Sequence, residues 1–289
     1  MSSTRADTPA STVPFVTLNN GVRMPQLGLG VFLVRNDEAI RSVSTALEAG
    51  YRLIDTAAAY GNEAGVGEAI RRSGIPRDEI FLTSKLWNAD HGYEKAVKGF
   101  ETSLDKLGLE YLDLYLIHWP LPMRGLAAET WKGLEQVYSS GRVKAIGVSN
   151  FTPEHLEQLL QESDIVPAVD QVELHPTFTQ QDLRRYAGEH GIQVESWYPL
   201  GGQRNKDALL SLPLLAGLAE RHGKTPAQII LRWHIQLGLV VIPKSTNPGR
   251  IRENFAIFDF ELSGEEMDAI SALDRGVRLG ADPNTADFT

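Results

Sequence analysis

The sequence contains no cysteine. Disulfides, thiolate metal sites and cysteine nucleophiles are therefore excluded, although this absence does not identify the compartment. The seven histidines are scattered along the chain, and none stands in a His-Glu-x-x-His pattern. The sequence thus predicts no metal site.

Positive charge and long apolar runs are also lacking. The net charge is −9, whereas nonspecific nucleic-acid binding needs a basic footprint. No segment approaches the roughly 18–20 apolar residues of a membrane span, and residues 1–14 are polar, without the apolar core of a secretory signal. We expect a flexible leader over residues 1–14, a single domain over residues 15–289, no membrane or nucleic-acid partner, and a cytoplasmic protein.

What the chain does contain is a repeated alternation of apolar, β-rich runs and amphipathic helical patterns, with 42% hydrophobic residues. The predicted strands are 26–30, 53–55, 80–84, 112–118, 143–149, 168–172, 192–197 and 239–243. The predicted helices between them are 38–49, 64–72, 93–106, 129–139, 153–161, 180–190 and 226–236. Near-continuous apolar strands alternating with helices indicate a parallel sheet covered by helices. Eight such units favour a closed (β/α)₈ TIM barrel over an open sheet.

Several segments lie outside this repeat. Residues 15–24 predict a β-hairpin, because Asn20-Gly21 supplies the positive φ values of a tight turn, and this hairpin could plug the bottom of the barrel. Residues 207–222 lengthen the crossover before the last strand. Residues 249–258 and 263–273 are predicted as extra C-terminal helices, and the tail after Arg275 shows no periodicity.

Polar and aromatic residues follow the predicted strands at one end. In α/β barrels the carboxyl ends of the strands carry the active site. Each residue alone has a structural interpretation, such as a cap, a packing aromatic or a core histidine. A lysine at this position, however, needs a partner or a shifted pKa. The set as a whole indicates a functional rim: Asp55, Tyr60, Lys85, His118, Ser149, Asn150, Gln171, Trp197, Lys244 and Ser245.

Six segments of the chain resemble the motifs of aldo-keto reductases, in the same order. They are LIDTAAAYGNE (53–63), TSKLW (83–87), DLYLIHWP (113–120), GVSNF (147–151), QVELHP (171–176) and IPKST (242–246). Two more, GIQVESW (191–197) and GKTPAQ (223–228), resemble the bacterial 2,5-diketo-D-gluconate reductases. The resemblance extends from about Phe15 to Leu273. It implies NADPH-dependent reduction of aldehydes and ketones by hydride transfer.

The family's catalytic tetrad corresponds here to Asp55, Tyr60, Lys85 and His118. The resemblance implies that Tyr60 is the general acid that protonates the carbonyl oxygen. A free tyrosine has a pKa of about 10, and the Lys85 cation is expected to lower it. Asp55 would keep Lys85 charged, and His118 would hydrogen-bond the substrate carbonyl.

Cofactor and substrate residues follow from the same resemblance. The implied NADPH contacts are Ser149, Asn150 and Gln171 for the nicotinamide carboxamide, Trp197 for its ring, Leu200 and Gly201 for the pyrophosphate, Lys244, Ser245 and Arg250 for the 2′-phosphate, and Glu253 and Asn254 for ribose and adenine. Tyr198 stands where the family pattern has Gly or Ser, so we expect its bulk to alter the pyrophosphate loop. The pocket for a small-molecule carbonyl substrate is assigned to the aromatics Phe32, Trp87 and Trp119.

Other interpretations remain open at this stage. The glycines of Gly28-Leu29-Gly30 lack the third glycine of a dinucleotide fingerprint, since Leu33 stands in its place. His175 could be a metal ligand, but a structural histidine is the more ordinary role. The main alternative is a non-catalytic NADP(H)-binding barrel with a regulatory or structural role. The sequence does not determine the physiological substrate. Because relatives in this branch are commonly monomeric, we expect this protein to be a monomer.

Overall fold

Eight strands run parallel in one sheet, in the order in which they occur along the chain. The computed structural model describes residues 13–288, apart from the side chains of residues 203 and 204. The strands of this sheet are β3 (Gly28–Gly30), β4 (Leu53–Asp55), β5 (Phe81–Leu86), β6 (Leu112–Ile117), β7 (Val143–Ser149), β8 (Val169–Glu173), β9 (Gln193–Trp197) and β10 (Val240–Val241). All eight lie within or close to the predicted runs.

The first and last strands of the sheet meet and close it. Leu27 pairs with Val241, and Gly30 pairs with Lys244, in parallel bridges. The Val241 N–H also donates to the Gln26 carbonyl at 2.8 Å. The predicted (β/α)₈ barrel is therefore confirmed, and the ring of strands leaves no long unpaired edge.

Helices follow the strands and cover the barrel. They are α1 (Asn36–Ala49), α2 (Glu63–Arg72), α3 (Tyr93–Leu107), α4 (Ala127–Ser139), α5 (Pro153–Glu162), α6 (Gln181–Glu189), α7 (Gly202–Leu210), α8 (Pro213–His222), α9 (Pro226–Gln236), α10 (Pro248–Phe255) and α11 (Gly264–Ser271). Thr152, Thr225 and Ser263 begin α5, α9 and α11 with capping boxes, which satisfy the free N–H groups of the first turn. None of these helices is long and apolar enough to cross a membrane.

The hairpin closes the bottom of the barrel, as predicted. Its strands β1 (Phe15–Thr17) and β2 (Arg23–Pro25) pair antiparallel. Leu18 and Met24 are buried in one cluster with inward-facing barrel side chains such as Phe81. The lower interior is thus an apolar plug, and the largest cavity among the described residues opens toward the carboxyl ends of the strands.

Both ends of the described chain contribute to the fold. Val13 is buried, and the Pro14 carbonyl accepts from Gln26 N–H at 2.9 Å. Val13 and Pro14, which the sequence assigns to the leader, therefore contact the barrel, while residues 1–12 of the predicted leader lie outside the described residues. The tail after Arg275 forms no helix or strand up to residue 288, yet it lies across the top of the barrel.

Candidate active site

A buried ion pair lies at the centre of the upper barrel. Lys85 on β5 is 0% exposed, and its Nζ lies 2.7 and 2.8 Å from the two carboxylate oxygens of Asp55 on β4. The ammonium also donates to the Thr56 carbonyl at 2.9 Å. Burial lowers the pKa of Lys85, but the neighbouring Asp55 carboxylate and Tyr60 raise it above its usual value. Lys85 is therefore a permanent cation whose position is set by two strands.

Tyr60 lies above this pair, in a short 3₁₀ turn (Ala58–Tyr60) that follows β4. Its hydroxyl is 3.5 Å from Lys85 Nζ. Burial raises the pKa of Tyr60 to about 12, and the Lys85 cation lowers it by less than burial raises it. The expected net lowering by Lys85 is therefore not found, because removal from water outweighs one cation. At neutral pH Tyr60 is a protonated phenol, the form that can donate a proton.

His118 completes the group at the end of β6. Its ring lies edge-on to Tyr60 at 5.7 Å and to Trp87 at 5.3 Å between ring centroids. Burial, with a smaller effect of the Lys85 cation, holds the pKa of His118 well below its usual range. The imidazole is therefore neutral, and a neutral imidazole can donate one hydrogen bond from an N–H.

A cavity of about 630 Å³ opens above these side chains, within the range of ordinary small-molecule sites. Most residues that the sequence predicted for the site line it: Phe32, Asp55, Tyr60, Trp87, His118, Trp119, Ser149, Asn150, Gln171, Trp197, Leu200, Lys244, Ser245 and Arg250. Lys85 lies beneath its floor. Gly201, Glu253 and Asn254 do not line it, so their predicted contacts stay predictions.

One side of the cavity is an interlocked polar group at the ends of β7, β8 and β9. Asn150, with a φ of 66°, donates to the His118 carbonyl at 3.0 Å and accepts from Trp197 Nε1 at 2.9 Å. Ser149 donates to the Gln171 carbonyl at 2.7 Å. These bonds hold the side chains in place before any ligand arrives.

The far end of the cavity is cationic. Lys244, Arg250 and Lys206 line it, and neither Lys244 nor Arg250 has an ion-pair partner within residues 13–288. Asn247 caps α10 by accepting from the Arg250 N–H at 3.0 Å. Unpaired cations beside a helix N-terminus favour a phosphate group.

Of the two residues predicted for ribose and adenine, one has a partner within the protein and the other is buried. Glu253 accepts from the Thr225 hydroxyl at 2.9 Å, and Asn254 is buried. Lys206 was missed by sequence reasoning, because it lies on α7 in the lengthened crossover and only the fold brings that helix beside α10.

Tyr198, the residue that departs from the family pattern, is accommodated locally. Its φ is 54°, and its ring packs against Trp197 at 4.7 Å and Phe32 at 6.3 Å. A Cβ at Gly202 would lie 2.8 Å from the Tyr198 ring. A glycine at position 202 therefore provides the space for the larger side chain.

The C-terminal tail forms a wall that the sequence did not predict. Phe288 stacks on Trp87 at 6.1 Å and meets Trp119 edge-on at 5.0 Å. Asn88 donates to the Phe288 carbonyl at 2.6 Å, and Arg124 pairs with Asp287. No periodicity marks these residues in the sequence, so nothing local pointed to them.

The tail is also fixed where it passes β8 and β9. The buried carboxylate of Glu173 accepts from the backbone N–H groups of Leu279 and Gly280, at 2.5 and 2.8 Å. A Cβ at Gly280 would lie 2.6 Å from the Trp197 ring. This close approach places the tail over the edge of the same cavity. His175, the possible metal ligand, instead contacts Glu173 and Thr177.

Comparison with known proteins assigns this chain to a family. A family model described as Aldo/keto reductase family matches residues 26–275. The chain belongs to this family. It is 53% identical to an aldo-keto reductase of Mycolicibacterium smegmatis, over 96% of this chain and 99% of that protein. It is 52% identical to the glyoxal reductase of Bacillus subtilis, over 97% of this chain and all of that protein.

A solved structure adds a ligand-bound relative. The crystal structure of a Gox0644 mutant in complex with NADPH superposes with a TM-score of 0.90 at 47% identity, over 96% of this chain and 99% of that one. The family and the barrel fold of this chain are therefore shared with a relative that binds NADPH.

Proposed function

We propose that this protein is an NADPH-dependent reductase of aldehydes and ketones in which Tyr60 is the general acid. The observation that carries the proposal is the connected group Asp55–Lys85–Tyr60 at the floor of a cavity whose far end is cationic. The NADPH bound by a relative of 47% identity supports the choice of cofactor. A cytoplasmic monomer, and a specific likeness to 2,5-diketo-D-gluconate reductases, stay predictions from the sequence.

The residues present fit this cofactor. Lys244 and Arg250, which have no ion-pair partner among residues 13–288, offer their cations to the 2′-phosphate, and Lys206 adds a third cation nearby. The Gln171 amide uses its nitrogen within the protein, which leaves its oxygen to accept from the carboxamide. When bound, NADPH supplies the hydride.

The chain's own residues supply the proton and the orientation. Neutral His118 donates a hydrogen bond to the substrate carbonyl oxygen and holds it beside Tyr60. Tyr60 then donates its phenolic proton to that oxygen, and Lys85 stabilises the phenolate that remains. Asp55 keeps Lys85 charged and directed at Tyr60.

The substrate end of the cavity favours small, apolar or activated carbonyl compounds. Phe32, Trp87, Trp119 and Phe288 give apolar contact and few polar groups that could select one sugar. Such walls discriminate by only about 1–3 kcal/mol for each methylene-sized difference. The relative named glyoxal reductase supports dicarbonyl substrates within this class.

The test measures NADPH consumption with phenylglyoxal, methylglyoxal and 4-nitrobenzaldehyde. We expect all three to be reduced faster than unactivated ketones. In Tyr60→Phe we expect kcat to fall by about 10²-fold or more, since general acid catalysis contributes about 10²–10⁴-fold. The Kd of NADPH, measured by fluorescence quenching, should stay nearly constant. Tyr186→Phe, on the outer helix α6, is the matched control.

Two results would contradict the proposal. If Tyr60→Phe keeps more than about a tenth of the wild-type kcat, Tyr60 is not the acid. If the wild type binds NADPH but reduces none of these carbonyls, the non-catalytic barrel is the better description.

A further inference from the structure

A second carboxyl group lies next to the Asp55–Lys85 pair and has no role in the mechanism above. Glu195 on β9 is fully buried in the barrel interior. It pairs in register with Gln171 on the neighbouring strand β8, so the two side chains face the same way. Gln171 Nε2 donates to Glu195 Oε2 at 2.8 Å and to Asp55 Oδ2, also at 2.8 Å. One amide group therefore bridges the two carboxyls.

The bridge decides how the Gln171 amide is oriented. An amide nitrogen has two N–H donors, and both are engaged by carboxyl oxygens. If the Gln171 amide were rotated by half a turn, its oxygen would face the acceptor oxygens of Asp55 and Glu195. Without Glu195, only Asp55 would hold this orientation.

The one cation near Glu195, Lys85, cannot balance the negative charge of two ionised carboxyl groups. The charged groups that act on it are Asp55 from β4 and Lys85 from β5, while Val240 of β10, its partner in register, is apolar. Lys85 already gives hydrogen bonds to both Asp55 oxygens. If Glu195 were ionised, the cluster would hold two buried negative charges and one positive charge.

The remaining oxygen of Glu195 supports the neutral form. Its Oε1 is buried and has no hydrogen-bond partner among the described residues. A buried carboxylate with an unpartnered oxygen is far costlier than a neutral carboxyl. Burial first, and then the Asp55 carboxylate, raise the pKa of Glu195 to about 8, against smaller lowering by Gln171 and Lys85.

We propose that Glu195 is a positioning residue of the reaction: as a neutral carboxyl it shares the Gln171 amide with Asp55, and its ionisation disturbs the Lys85–Tyr60 pair. The inference rests on the proposed function. The negative charge added at Glu195 would offset the positive charge of Lys85. The phenolate of Tyr60 would then be stabilised less, and Tyr60 would become a weaker acid. The pKa of the Tyr60 phenol lies near 12, which is too high for its ionisation to cause a loss of activity that begins near pH 8.

The experiment compares Glu195→Gln with the wild type by two readouts. The first is the pH profile of kcat for 4-nitrobenzaldehyde reduction. We expect the wild-type kcat to fall up to about tenfold between pH 7 and 9, since one ionisation changes its protonated fraction about tenfold for each pH unit above the pKa. Glu195→Gln, which keeps a neutral group of the same shape, should lose less than about twofold over that range, because it lacks that ionisation.

The second readout needs neither cofactor nor substrate. Infrared difference spectra of the free protein, titrated between about pH 6 and 10, should show a protonated-carboxyl band that disappears near pH 8 and is absent in Glu195→Gln. Asp170→Asn is the matched control. Asp170, on β8, is also a buried carboxyl, but it accepts from Phe151 N–H and has no hydrogen bond to Asp55, Lys85 or Gln171 among the described residues. It should leave the pH profile of kcat unchanged.

The outcomes separate this inference from the proposed function. Equal pH profiles for the wild type and Glu195→Gln, or a Glu195 band absent throughout the titration, would overturn the inference while carbonyl reduction continued. A Glu195 band with the expected titration, in a protein that reduces no carbonyl, would overturn the proposed function and support the neutral Glu195. If Glu195→Gln does not fold, Glu195→Leu replaces the neutral group by an apolar one for the same measurements.

Discussion

The floor and the outer wall of the cavity are built in different ways. The floor is formed by Asp55 and Gln171, with Lys85 directly beneath it; all three stand on strands and are buried, and Asp55 accepts hydrogen bonds from the other two. The outer wall includes Phe32 and Phe288, which stand on a loop and on the tail and are 38% and 39% exposed. Each strand residue lies between two neighbouring strands, whereas the tail is fixed by a few hydrogen bonds, such as those between its backbone and the side chains of Glu173 and Asn88.

The difference separates chemistry from substrate choice. The Lys85 ammonium, on a strand, is held 3.5 Å from the hydroxyl of Tyr60, which stands in the short turn directly after β4. Loops and tails tolerate sequence change without loss of the core, which makes them suited to substrate selection. Changes to the floor should therefore reduce kcat and stability, and changes to the wall should act mainly on KM.

The largest effect is expected at the floor, for Lys85→Met. Removing Lys85 leaves Asp55 buried without its cation, and breaking a buried pair in this way costs about 3–5 kcal/mol of unfolding free energy. We also expect kcat to fall by about 10²-fold or more, because the phenolate of Tyr60 loses its nearest cation. Urea unfolding and steady-state kinetics measure the two effects.

Lys144→Met is the control for that variant. Lys144 pairs with Asp113 at 2.8 Å, but it lies at the other end of the barrel and its side chain is 40% exposed. Its loss should cost no more than about 1 kcal/mol and leave kcat unchanged. If Lys85→Met and Lys144→Met lowered the unfolding free energy and kcat equally, the buried Asp55–Lys85 pair would matter no more than an exposed one.

A smaller effect is expected at the cationic end, for Arg250→Ala. The 2′-phosphate is the only difference between NADPH and NADH, and a hydrogen bond to a charged group contributes about 1.5–3 kcal/mol. We therefore expect the preference for NADPH over NADH to fall about tenfold or more. Titration of both cofactors at one ionic strength measures it. Arg252→Ala, exposed on the same helix, should leave the preference unchanged, and an unchanged ratio in Arg250→Ala would remove Arg250 from the phosphate site.

The smallest effect is expected at the wall, for Phe288→Ala. Its ring contacts Trp87 and Trp119, and such aromatic contacts contribute about 0.5–1.5 kcal/mol. We expect the KM for 4-nitrobenzaldehyde to rise about threefold to tenfold with kcat nearly unchanged. Phe15→Ala is a matched control, since Phe15 is 41% exposed at the opposite end of the barrel. A fall in kcat instead of a rise in KM would place Phe288 with the floor.

The sequence determined the barrel and the rim on which the polar residues stand, because both follow from local patterns, whereas the proposed catalytic roles came from the family resemblance. Apolar runs alternating with amphipathic helices require a covered parallel sheet, and each strand then delivers its last residues to one rim. Asp55, Lys85 and His118 could be predicted in this way without knowing any distance. The hairpin was also predictable, although its turn has a positive φ at Gly21, 84°, and not at Asn20, where a positive value was expected as well.

Only the tertiary structure decided the parts that depend on distant segments meeting. Phe288 forms a wall because Glu173 and Asn88, far away in the chain, hold the tail in place. Glu195 was missed because a buried carboxyl on a strand has meaning only once Gln171 and Asp55 lie beside it. The pKa of Tyr60 was expected to fall and instead rises, because a sequence names the neighbouring cation but does not measure how much water the fold removes.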